Sequence, residues 1–220
     1  MRTKALLACG VLSSALYLAA IDVVVPGLLP EYHDYTSQMV SELMALESPS
    51  RPVLVPLFTI YNLLLFPFAA GVWMSAAGRR SRLPAAVALG GYAACSSTGL
   101  FLAPMELRSA GLSSQTVLHI WVTALQGVFM ALTLVSGAFV LGVRFRVYTF
   151  GTLAAALLFG ALAGAAATET SMPWIGLTER VSIYAWMLWL AALAIALAMA
   201  RSDSGSPSAS HGPAPISPRS

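Results

Sequence analysis

Six stretches of this 220-residue chain are long and apolar enough to cross a bilayer, at about residues 5–25, 52–77, 83–103, 116–143, 147–167 and 181–200. A hydrocarbon core of about 30 Å is spanned by about 20 helical residues. None of the six shows the period-two alternation of a membrane β-strand, so helices are left to satisfy the backbone in lipid. Only 10% of residues are charged and 58% are hydrophobic, against roughly 25% charged in an average soluble domain. A water-soluble fold of this size could not hide so much apolar surface. The reading is an all-α, six-helix transmembrane bundle over residues 1–201. Residues 202–220, rich in Ser, Pro and Gly, are expected to form a disordered cytoplasmic tail.

The basic residues set the expected orientation. Arg2 and Lys4 precede the first run, Arg79, Arg80 and Arg82 separate the second and third, Arg144 and Arg146 separate the fourth and fifth, and Arg201 follows the sixth. All fall on one side, which the positive-inside rule makes cytoplasmic. Both termini are then cytoplasmic, and the protein belongs in the cell membrane as a multi-pass chain. The connections at 78–82 and 144–146 are short, so the spans read as three antiparallel hairpins in series. Gly160 and Gly164 offer a small-xxx-small pair for close helix packing. The first run resembles a signal peptide at its start, but its apolar stretch is long for one, and an uncleaved helix is expected. A formal net charge of +3 raises nucleic acid as a partner. The scatter of basic residues over the ends of apolar runs excludes it. Cys9 and Cys95 lie inside apolar runs and read as packing residues, without the clusters a thiolate zinc site needs.

The opposite side collects Asp22, Glu31, Asp34, Glu42, Glu47, Glu106, Glu169 and Glu179, eight of the nine acids. Arg51, Arg108 and Arg180 stand there too, against the charge rule, so each needs a partner. The longest outer segment runs from 26 to 51. Pro26, Gly27 and Pro30 are expected to break the first helix. Residues 37–47 carry apolar side chains at helical spacing and predict a short amphipathic helix, either at the interface or folded over the bundle as a lid with Glu42 inside. In the second outer segment, His119 falls about one turn into span four and shares a face with Thr116. It reads as a core hydrogen-bonder, a general acid or base, or a metal ligand. In the third, Thr178 is expected to cap span six with Glu179 at the positive end of the dipole. Arg180 would then need an acid or an anionic head group, with Tyr184 one turn further along the same face. Trp174, Trp186, Trp189 and Tyr184 read as interface anchors or as cavity walls.

The segments SELMALESPSRP at 41–52, PMELR at 104–108, His119, and GLTERVSIYAWMLW at 176–189 together resemble a prokaryotic membrane family, domain-of-unknown-function family 998. The resemblance covers all six spans and omits only the tail. It implies a multi-pass membrane protein and supplies no reaction. Family members carry a histidine after Pro-Met, where this chain has Glu106, and an aspartate three residues before the span-four histidine, where this chain has Thr116. The resemblance implies that a typical member gathers two histidines and an aspartate able to hold a divalent metal. Here His119 remains, with Glu106 as a substitute carboxylate, which weakens a metal site and leaves no cofactor expected. Ser41, Glu42, Arg51, Arg108, His119, Glu179 and Arg180 match the family pattern.

Ionisable groups near lipid are unfavourable, and here they gather on one side. That suggests a membrane-embedded enzyme acting on a lipid, an isoprenoid or another hydrophobic small molecule. Glu42, Glu106, His119 and Glu179 would be its acid and base candidates. Ser41, Arg51, Arg108, Arg180 and Tyr184 would hold substrate, and Trp121, Trp174 and Trp186 would line an aromatic pocket. A carbocation cyclisation and a metal-assisted hydrolysis at Glu106 and His119 are two versions of that chemistry. The alternatives are a non-catalytic protein that binds lipid or a partner, with Glu–Arg pairs as structural ties, and a proton-coupled transporter. The sequence leaves the oligomeric state open.

Overall fold

A computed structural model describes residues 2–76, 82–108, 112–166 and 172–203. Arg79, Arg80, Glu169 and the expected tail beyond 203 lie outside the described residues. The first helix is α1 (Arg2–Ala19), which runs through a π-helical turn (Ala20–Val24) into α2 (Val25–Leu28). A single turn, α3 (Val40–Leu43), follows. Then come α4 (Arg51–Met74), α5 (Leu83–Leu102), α6 (Ser114–Gly137), α7 (Val143–Ala165) and α8 (Ile175–Asp203). Among the described residues, six helices are long and apolar enough to cross a membrane: Arg2–Leu28, α4, α5, α6, α7 and α8.

Several boundaries differ from the sequence expectation, each for a local reason. The first helix is not broken at Pro26. Proline lacks the N–H that would bond to the carbonyl of Asp22, and the chain absorbs this by widening into the π turn, where the Val25 N–H reaches Ala20 O. Span four stops at Gly137, not 143. The apolar residues 138–141 form the turn, and Gly142 leads extended into α7. Arg144 and Arg146 therefore stand in the first turn of α7 and not in a loop. Span six begins at Ile175, just after Pro173 and Trp174. Thr178 does not cap it, since its hydroxyl donates to Ile175 O at 2.7 Å from inside the helix. At 37–47 only the one turn of α3 is helical.

The helices form a ring in chain order. Each spanning helix packs on its sequence neighbours, and α1 closes the ring against α8. Neighbours run antiparallel. Ser182 on α8 donates to Ala156 O on α7 at 2.9 Å, and Trp189, further along α8, donates to Thr149, earlier on α7, at 2.8 Å. Close packing rests on small residues. A Cβ on Gly10 would sit 2.7 Å from the Phe68 ring, and one on Gly137 would sit 2.5 Å from Trp189. Several hydroxyls inside the spans are satisfied by their own helices, as when Ser14 bonds to Gly10 O and Thr133 to Phe129 O. The slackest seam of the ring lies between α6 and α7.

Gly137→Ala should lower the thermal midpoint in detergent, because the added methyl overlaps Trp189 and overpacking costs about 1–3 kcal/mol. Gly127→Ala, which meets open space, should leave the midpoint unchanged or raise it through better helix propensity. Equal midpoints for the two variants would contradict the packing described.

Candidate functional site

The segment between α2 and α4 does not stand apart from the bundle. It folds into the mouth of the ring as a plug, with Met39, Val40, Leu43 and Ala45 buried. A plug in that position has backbone groups that water cannot reach, and side chains supply their partners. The Glu179 carboxylate accepts the N–H of Val40 and, at 3.3 Å, that of Ser41. Glu42 accepts the Met39 N–H at 3.0 Å. Its other oxygen takes Arg108 Nε at 2.8 Å, while Arg108 Nη2 donates to Ser37 O at 2.8 Å. Ser48 and Ser50 both donate to Leu43 O, and Arg51 Nη1 donates to Met44 O at 2.5 Å.

Arg180 is fully buried. Its Nη1 donates to the carbonyls of Gln38 at 2.7 Å, Tyr35 at 3.0 Å and Gly176 at 3.2 Å, and its guanidinium lies 4.5 Å from the centre of the Tyr35 ring. Its Nη2 stands 3.5 Å from His33 Nε2. A side chain at Gly176 would collide with the Gln38 carbonyl, so glycine lets the plug approach α8. Tyr184 donates to Asp22 at 2.7 Å and shares a hydrogen bond with the Tyr35 hydroxyl. On the plug's exposed rim, Asp34 accepts bonds from the hydroxyl of Ser37 and the N–H groups of Thr36 and Ser37. These hold its carboxyl well below the usual carboxylate range.

Beneath the plug lies a cavity of about 650 Å³, a size ordinary for a small-molecule site. Of the residues expected to carry chemistry, Ser41, Arg51, His119 and Glu179 line it. Glu42, Glu106, Arg108, Arg180 and Tyr184 stand in the surrounding structure. Glu106 accepts bonds from Ser113 and Thr116 and so braces the start of α6. His119 Nδ1 lies 2.8 Å from Ala103 O, a carbonyl left free where α5 ends. That bond assigns the proton to Nδ1 and leaves Nε2 as an acceptor, 3.4 Å from the Thr123 hydroxyl. Among the described residues no three of His, Cys, Asp or Glu stand together as a metal site. Trp186 is a cavity wall, whereas Trp121 is 70% exposed on the outer surface of α6 and lines nothing. Ala124 and Val128 on α6, and Leu157 and Ala161 on α7, are exposed and also line the cavity. The cavity therefore opens sideways at the α6–α7 seam.

The deep end holds polar groups that the sequence reading missed. They are Asn62, Tyr92 and Gln126, which line it beside the expected Trp186. Tyr92 shares a 3.2 Å hydrogen bond with Tyr61 and lies beside Gln126. The signal was present in the sequence: Asn62 and Gln126 are lone amides within apolar runs, and such residues usually face a bundle interior.

The fold and this cavity define a multi-pass α-helical membrane protein with an internal cavity that opens between α6 and α7. Residues 11–196 match the family described as protein of unknown function (DUF998), and the chain belongs to that family. It matches no curated protein and no solved structure.

Removing one partner of the Glu42–Arg108 pair, whose side chains are 8% and 10% exposed, should cost about 3–5 kcal/mol. Arg108→Met alone should therefore destabilise more than the Glu42→Leu/Arg108→Met double variant, as a double-mutant cycle of thermal midpoints would show. Because the Asp34 carboxyl is depressed in the folded state, its contribution is complete above the unfolded value of about 3.9 and fades as pH falls below it. The protection of the Thr36 and Ser37 amides, taken relative to the intrinsic exchange rate at each pH, should fall under acid in the wild type. Asp34→Ala should already show that lower protection at neutral pH, and wild-type protection in the variant would contradict the assignment.

Proposed function

We propose that this protein is a membrane-embedded enzyme that takes a hydrophobic, lipid- or isoprenoid-like molecule from the bilayer and acts on it by acid/base chemistry. One observation carries the reading: a carboxyl, Glu179, and an imidazole with an acceptor nitrogen, His119, share one apolar cavity that opens toward lipid. A substrate entering at the α6–α7 seam would leave its tail among apolar walls and bring its reactive end beneath the plug. Glu179 would serve as the acid and His119 Nε2 as the base, with proton transfer of this kind worth about 10²–10⁴ in rate. Arg51 and Ser41 would position a polar or anionic head group. Glu42 and Glu106, both held by hydrogen bonds outside the cavity, act in this reading as supports. The basic residues Arg2, Lys4, Arg144 and Arg146 stand at the end of the ring away from the plug. We therefore place the plug on the outer face of the cell membrane and both termini in the cytoplasm.

A second reading is binding without catalysis. It is favoured by the two plug N–H groups that Glu179 already accepts, since a carboxylate so engaged can be purely structural.

Native mass spectrometry of the detergent-purified protein should find a bound hydrophobic molecule. Gly127→Leu should lose it while keeping the wild-type midpoint, because Gly127 lines the cavity and faces open space. That molecule should be turned over by the wild type and at least about 100-fold more slowly by His119→Ala and Glu179→Gln. A ligand equally abundant in Gly127→Leu would remove the cavity from the account. Equal turnover in all three proteins would overturn the roles of His119 and Glu179, and no turnover in any of them would leave binding alone.

A further inference from the structure

We infer that the deep end of the cavity recognises a hydroxyl group carried on the hydrophobic ligand. Asn62 lies midway along α4 (Arg51–Met74), Gln126 midway along α6 (Ser114–Gly137) and Tyr92 midway along α5 (Leu83–Leu102). These groups therefore stand at the centre of the membrane, where water is scarce and an unpaired polar atom is most unfavourable. Asn62 is 3% exposed, lines the cavity, and its Oδ1 has no hydrogen-bond partner. Trp186 is 2% exposed, and its indole N–H makes no hydrogen bond of good geometry although the Tyr61 and Tyr92 hydroxyls are near. Those two hydroxyls are bonded to each other.

An unpaired acceptor and an unpaired donor on the walls of one cavity call for a group that both gives and takes a proton. A hydroxyl does so, and it satisfies the Asn62 amide whichever way that amide is turned. A plain hydrocarbon end would leave both atoms unpaired. Position adds a length. From His119 to Gln126 is seven residues of α6, or about 10 Å. The ligand is therefore polar at two points about that far apart, one under the plug and one at mid-membrane. The walls between them are adaptable, since Met39, Met44, Met105, Met130 and Met187 line the cavity, five of the chain's nine methionines.

The inference rests on the cavity being a ligand site, and the test separates the two. The full chain in micelles, labelled at methionine methyls and indole nitrogens, is titrated with 1-decanol and with decane. Both should shift the Met130 and Met187 methyls. Only decanol should move the Trp186 indole signal, identified by its loss in Trp186→Phe. Asn62→Leu should weaken decanol binding about tenfold, the equivalent of one net hydrogen bond, and leave decane unchanged. If neither probe moves the methionines, the cavity reading fails and this inference with it. If both bind but the indole responds to both or to neither, the cavity reading stands and hydroxyl recognition is overturned, with ordered water as the partner of Asn62. The indole measurement on the wild type decides the matter even if Asn62→Leu does not fold.

Discussion

Two consecutive residues of α8 hold the plug end of this protein together. Glu179 accepts backbone N–H groups from Val40 and Ser41, and Arg180 donates to backbone carbonyls of Tyr35 and Gln38. A segment that enters a bundle mouth without regular secondary structure brings both kinds of orphan with it. An acid answers one kind and a base the other. Neighbouring residues on a helix point about 100° apart, so Glu179 and Arg180 reach different stretches of the plug and do not spend their charges on each other. Burying a charge is unfavourable unless hydrogen bonds satisfy it. Arg180 makes three carbonyl contacts through one nitrogen, and that is its justification for a site without exposure. The roof over the cavity follows from this clasp, and so does the position of Glu179 within it.

The outline of the fold was legible in the sequence because hydrophobic length is a strong signal. All six spans are where the apolar runs put them. Their ends were less legible, and each for a reason of physics. The turn at 138–142 is built from Ala138, Phe139, Val140 and Leu141, so hydropathy passes through it without a mark. Pro26 looks like a stop, yet a π turn absorbs the missing donor. Thr178 and Glu179 have the composition of a helix start, but they serve one turn inside the helix, with Glu179 capping a different one. The sequence left the plug open between an interfacial helix and a lid over the bundle, and it overstated the helix, because apolar residues at helical spacing are equally consistent with burial in irregular structure.

The candidate site was half legible. Acids, arginines and His119 were visible as charged residues beside lipid, but sequence cannot tell which of them a cavity reaches. Glu42 and Glu106 are consumed by Arg108 and Ser113, partners some 66 and 7 residues away. His119 owes its tautomer to the carbonyl of Ala103, the residue at which α5 happens to end. The deep amides were legible in principle, since Asn62 and Gln126 are isolated polar residues in apolar runs. Attention to charge alone passed over them.

The ring closes only where the first helix meets the last. A nascent chain delivers its helices to the bilayer in order, from the amino end. Helix α1 can therefore dock on α4 early, but its second neighbour does not exist until the sixth span has been made. The plug waits as well, because both halves of its clasp reside on α8. Until then the barrel stands open along one side, with the backbone of 35–41 lacking its final partners. Membrane helices assemble by packing after insertion, so the arrival of α8 is a single closing event that completes wall, roof and acid together. A chain truncated before Thr178 should therefore be an assembly intermediate for the quality-control proteases, and not a smaller version of the protein.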